Sequence, residues 1–204
     1  MKMGTMLACV RLRAAALTMA VAIVSAPSVS ASSAYDTPMA PIAGQGTVQA
    51  AFTPWDDVEL LLVQLIDGAR AQILVQAYLM TSKKIANALI SAHDRGLDVK
   101  VLADETQSHV ASAKLAMLAA GGVPVWTETK YQNAHNKVII IDAATPLPVL
   151  VTGSFNFTWT AQHKNAENVL IMRNNPALTA RYVANWQRHR LDARPFEAES
   201  DRQK

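Results

Sequence analysis

Four consecutive positions, Val138-Ile139-Ile140-Ile141, are apolar without interruption. A strand half open to water would alternate, so this run fits a central strand covered on both faces. Covering it takes helices on two sides of a sheet, and the remaining sequence supplies them. Strand patterns are expected at Val48–Phe52, Gln72–Met80, Leu97–Ala103, Val123–Thr127, Val149–Thr152 and Asn168–Arg173. Helical spacing is expected over Pro54–Ala69, Ser82–Asp94 with a stop at Gly96, Ser108–Ala120 with a stop at Gly121-Gly122, a short turn at Phe157–Lys164, and Pro176 to about Leu191. Alternation of this kind predicts an α/β fold, a mixed β-sheet sandwiched between helices.

The polar residues around the apolar run carry the chemistry. His135 and Lys137 precede it two apart, and Ser154 and Asn156 follow the next strand with the same spacing. Side chains two apart in extended chain share a face. Adjacent strands would therefore gather an imidazole, an ammonium, a hydroxyl and an amide, a set suited to a phosphodiester: a nucleophile or acid, a positive charge and neutral donors. Asp142 lies seven residues after His135, an odd offset that points it away from the imidazole. It is expected to hold the strand end or an adjoining loop. No Walker loop, Cys/His metal cluster or glycine-rich dinucleotide turn is present, so the expectation is chemistry without a metal or cofactor.

The series His135-x-Lys137, four residues, Asp142, then Gly153-Ser154-x-Asn156 resembles the signature of the phospholipase D superfamily, the HKD phosphodiesterases. One motif copy in a short chain, with Lys164-Asn165-Ala166-Glu167-Asn168 after it, is similar to the small secreted bacterial endonuclease branch. Ten residues separate Asp142 from Gly153, more than the branch usually has, which reads as a lengthened hairpin loop at Ala143–Pro148; longer loops add little closure entropy.

The resemblance implies a mechanism. In-line displacement needs a nucleophile and a leaving-group acid on opposite sides of phosphorus, and one motif supplies one side. A two-fold homodimer would supply His135 twice. One copy attacks to form a phosphohistidine and the other protonates the leaving oxygen. Lys137 and Asn156, helped by Ser154, hold the non-bridging oxygens. Glu167 accepts a hydrogen bond from the second ring nitrogen of His135 and fixes its tautomer.

Residues 1–31 read as a secretory signal peptide: Lys2, Arg11 and Arg13 precede the apolar run Ala14–Val24, and Val29-Ser30-Ala31 offers small residues for cleavage. The run is too short to span a bilayer, which needs roughly 20 apolar residues. Residues 32–47, rich in Ser, Ala, Pro and Gly, read as a flexible lead-in, leaving one domain at 48–204. Cleavage would remove the single cysteine, Cys9, and leave 16 basic against 16 acidic side chains. The precursor's net charge of +3 is then no argument for nucleic-acid binding.

Plainer roles compete at several positions. Trp126, Trp159 and Trp186 are expected in the core or an interface; His93, His109, His163 and His189 match no motif; and Lys83, Lys84 and the arginines of the last helix read as solvated. Together the residues and the resemblance predict an exported, periplasmic or secreted homodimeric endonuclease that cleaves DNA, with RNA left open and no stable membrane insertion. The alternatives are a phospholipase D acting on lipid head groups and a catalytically silent nucleic-acid-binding module.

Overall fold

The structure, a computed structural model, describes residues 40–108, 110 and 113–197. The expected signal peptide, the first part of the lead-in and His109 lie outside the described residues. In chain order the elements are β1 (Thr47–Thr53), α1 (Val58–Asp67), β2 (Gln72–Ala77), α2 (Lys83–Asp94), β3 (Asp98–Asp104), α3 (Glu105–Ser108), α4 (Leu115–Ala120), β4 (Val125–Glu128), β5 (Lys137–Ile141), β6 (Val149–Gly153), α5 (Trp159–His163), β7 (Glu167–Arg173), α6 (Pro176–Asp192) and β8 (Ala193–Pro195).

The eight strands form one mixed sheet in the order β1-β7-β6-β5-β2-β3-β4-β8. The apolar run is β5, central as its composition requires, antiparallel to both β2 and β6, with Val75 opposite Ile139 and Ile139 opposite Val151. Strands β2, β3 and β4 run parallel. On one face, Val58, Leu62 and Ile66 of α1, Ile85 and Leu89 of α2 and Leu118 of α4 pack over Ile73, Val75, Val101, Ile139 and Ile141. On the other, Trp186 of α6 packs over Leu74, Leu102, Val138, Ile140 and Leu150, and its indole N–H donates to the Val75 carbonyl at 3.0 Å. The mixed sheet between helices is thus present.

Three local expectations need correction. The helix expected over Ser108–Ala120 is shorter: α3 ends at Ser108 and α4 begins only at Leu115; the Lys114 amide donates across to the Met80 carbonyl at 2.8 Å. The first helix starts later, at Val58, because the Asp57 side chain caps it by accepting from the Leu60 amide. The last helix is followed by a three-residue edge strand, β8, which pairs antiparallel with β4.

The connectivity sets one end of the sheet apart. The C-terminal ends of β1, β2, β3, β4 and β6 meet the N-terminal ends of β5 and β7 there. In sheets with parallel strands, ligands commonly bind beyond those carboxyl ends.

Candidate active site

The motif residues gather at that end. Segment Tyr78–Ser82, just past β2, is stitched on both flanks: Tyr78 N–H donates to the Asn136 carbonyl at 2.8 Å, while Phe157 N–H donates to the Leu79 carbonyl at 3.1 Å and Thr81 N–H to the Phe157 carbonyl at 2.9 Å. His135 and Asn156 therefore flank one backbone segment, although they are 21 residues apart in sequence. Both sit just outside regular strands, because β5 begins at Lys137 and β6 ends at Gly153. The apolar-strand pattern placed them correctly by end, and loop backbone sets their aim.

Lys137 is buried, with its Nζ 3.0 Å from His135 Nδ1 and 3.1 Å from the His135 carbonyl. The ammonium also lies over the Tyr78 ring, 4.7 Å from its centre, and that ring sits 4.2 Å from the His135 imidazole. Burial pushes the Lys137 amine down from 10.5 to about 8, opposed by the negative charges of Glu167 and Asp104. His135 itself is exposed, a ring held at the surface by a buried cation.

Glu167, at the start of β7, has other partners than expected. Its carboxylate accepts from the Ser154 hydroxyl at 2.5 Å and the Asn165 side-chain amide at 2.8 Å, and its own amide donates to Thr53 Oγ1 at 3.1 Å. The anticipated bond to His135 is not among the described contacts; His135 Nδ1 lies against Lys137 Nζ instead. Ser154 in turn accepts from the Asn168 amide at 3.0 Å, so its hydroxyl is tied to Glu167. Asn156 Oδ1 is buried without a hydrogen-bond partner among the described residues.

Two motif residues serve the backbone. Gly153 sits close against β7: a Cβ there would run into the Asn168 carbonyl. Asp142 ends β5 in the left-handed region, φ 53°, which aspartate tolerates better than most residues. Its carboxylate accepts the amides of Arg70, Ala71 and Gln72 at 2.9, 2.7 and 3.0 Å. It therefore fastens the loop entering β2 at the end of the sheet far from His135, the supporting role its odd offset predicted.

Sequence reasoning missed Asp104. This residue is buried at the C-terminal end of β3 and accepts the Ala134 amide at 2.6 Å, the Gln107 amide at 3.0 Å and the Thr106 hydroxyl at 2.5 Å. It anchors the loop that carries His135 and contributes negative charge near Lys137. Nothing local in the sequence marks it, because its key partner lies 30 residues away. His189 also acquires a role, pairing with the buried Glu128 to hold α6 against β4. Among the described residues, no group of three or more His, Cys, Asp or Glu side chains is placed to hold a metal ion, and no helix is long and apolar enough to cross a membrane.

A family profile described as cardiolipin synthase, PLD-like domain, matches residues 62–190. A phospholipase D from Rickettsia prowazekii is 38% identical over 142 residues, 70% of this chain and 67% of that protein. Among solved structures, the phospholipase D family member Nuc from Salmonella typhimurium superposes with a TM-score of 0.70 at 33% identity, covering 76% of this chain and all of Nuc. NucT from Helicobacter pylori superposes with a TM-score of 0.67 at 21% identity over 74% of this chain, a likeness of fold.

Proposed function

Because the chain belongs to the phospholipase D superfamily, we propose that it is a phosphodiesterase acting as a metal-independent, non-specific endonuclease on DNA, exported through the leader at residues 1–31 and active as a homodimer. The observation that carries the reading is the cluster at one end of the sheet: an exposed imidazole on a buried lysine, with Asn156, whose side-chain NH2 can donate to a phosphate oxygen, across the same backbone segment. The single motif and the Lys164–Asn168 segment favour the endonuclease branch over lipid hydrolysis.

The chemistry follows from proton placement. The leaving-group acid must be an imidazolium, with protons on both Nδ1 and Nε2, and the neutral ring left after it gives up the Nε2 proton is the base for the second step. The nucleophilic copy needs a proton on Nδ1 and a bare Nε2, with a carboxylate such as Glu167 of either subunit to accept that proton. Nε2 then forms the bond to phosphorus as the bond to the leaving oxygen breaks, and that oxygen takes the proton from the imidazolium of His135 of the partner subunit, leaving it a neutral imidazole. Water next attacks the phosphohistidine, gives its proton to that partner imidazole, and releases the first ring. Lys137 and Asn156, with Ser154 beside them, hold the non-bridging oxygens throughout.

Dimerisation has a surface available to it. Val48, Phe52 and Leu170 lie on one face of the β1–β7 pair, 66%, 48% and 40% exposed. Phe52 is adjacent to the end of the sheet that carries the site. An apolar face of this kind favours burial against a second copy.

The test is cleavage of supercoiled plasmid by the purified protein in excess EDTA, beside a His135→Ala variant and a phosphatidylcholine hydrolysis assay. Nicking that survives EDTA and is lost in the variant supports the reading. The rival is phospholipase D activity, favoured by the name of the rickettsial relative; lipid turnover with intact plasmid would install it. Inactivity on both substrates would point to a silent binding module, and light scattering reads the dimer directly.

A further inference from the structure

Trp159 was expected in the core or an interface, yet its side chain stands 55% exposed on α5, three residues after Asn156. Three residues span at most about 11 Å of chain, so the backbone of Trp159 lies within one or two nucleotide lengths of Asn156. The ring is not loose on the surface. His163 packs against it with ring centres 4.7 Å apart, and the Lys164 ammonium lies 5.8 Å from the ring centre. Facing it across a cleft of about 400 Å³ is the start of α2, with Ser82, Lys83 and Lys84 on the wall.

The charges in the cleft are not equivalent. Lys84 is paired at 2.8 Å with Glu59, whose other oxygen accepts from Ser82 at 2.6 Å, so this pair is internally neutral. Lys83 and Lys164 are exposed. The cleft thus combines a flat aromatic face with cations at its edges and hydroxyls on its wall. A base stacks on an aromatic ring while lysines meet its flanking phosphates.

We propose that Trp159, backed by His163 and flanked by Lys83 and Lys164, is a stacking platform for a nucleobase of single-stranded nucleic acid beside the scissile phosphate. This rests on the nuclease reading and specifies its substrate: the strand is gripped through one base as well as its backbone, so unpaired segments are cleaved in preference to duplex. Stacking is indifferent to base identity, which suits an enzyme without sequence preference.

The experiment compares kcat/KM on an oligothymidylate and on an abasic strand of equal length, in which every base is absent and every phosphate kept. The wild-type protein should favour the base-bearing strand. Trp159→Ala should lower kcat/KM on the oligothymidylate roughly fivefold to a hundredfold while leaving the abasic strand unaffected, and Trp159→Phe should retain most of the preference. Equal losses on both strands, no loss on either, or a change in oligomeric mass in Trp159→Ala would overturn the platform, the last by assigning the ring to an interface between copies. A wild-type protein that cleaves both strands equally sinks the platform alone. One that cleaves neither strand nor plasmid sinks the nuclease reading with it.

Discussion

The amide of Ala134 donates to the Asp104 carboxylate at 2.6 Å, so a buried acid at the end of β3 fixes the backbone directly before His135. Asp104 touches no reacting atom in the proposed mechanism; it positions the residue that does. Asp104→Ala strands the amides of Ala134 and Gln107 and should cost about 1–3 kcal/mol in urea unfolding. Asp104→Asn keeps the volume and one acceptor oxygen, and should fold while lowering kcat more than it changes KM. A rise in KM at constant kcat would assign Asp104 to substrate binding instead.

Lys137 should trade stability for activity. Its amine is lowered to about 8 when folded, against 10.5 as the ordinary value. Between those values the unfolded chain holds more protons, so the contribution to stability rises with pH through that window, and below pH 8 the burden of the buried charge is fully present. Lys137→Met should therefore raise the melting temperature at pH 7 and abolish cleavage. In the wild type KM should climb as pH passes about 8 and the ammonium is lost.

Asp142 should matter for folding and hardly at all for chemistry. Removing its carboxylate frees three backbone amides. Asp142→Ala should cost about 3 kcal/mol from that loss and about 1 kcal/mol more from a left-handed backbone that alanine tolerates poorly. Well below its lowered melting point the variant should cleave at close to the wild-type kcat.

Glu167 joins Ser154 and Asn165 at the start of β7. Glu167→Gln retains an acceptor and a similar shape, so the fold should survive. If a carboxylate sets the nucleophilic tautomer of His135, kcat should fall by about 10- to 100-fold and the pH–rate profile should shift. An unchanged profile would confine Glu167 to holding Ser154.

The architecture was legible wherever local pattern and tertiary placement agree. The unbroken run of β5 announced a central strand, and Ser82, whose hydroxyl accepts from the Ile85 amide, announced the start of α2. Legibility failed where distant partners decide. The late start of α4 at Leu115 goes with Lys114 donating to Met80, and β8 exists because the edge of β4 accepts three more residues after α6. At the site, motif spacing brought His135, Lys137, Ser154 and Asn156 to one end of the sheet, where the structure places them. It could not find Asp104, nor that the Glu167 carboxylate meets Ser154 and Asn165 within one subunit. The exposure of Trp159 was equally invisible, because α5 is only five residues long and has no face pattern to read.

The strand that begins beside His135 ends at Asp142, roughly 23 Å further along extended chain, where the lengthened loop closes on itself through Thr145, whose amide and hydroxyl both donate to the Asp142 carbonyl. Leu147 in that loop is 59% exposed. The molecule therefore has a handle as well as a working end. A peptide tag or surface linker spliced in beside Leu147 would immobilise it with the chemistry facing outward, free to meet a long polymer that could never enter a buried pocket.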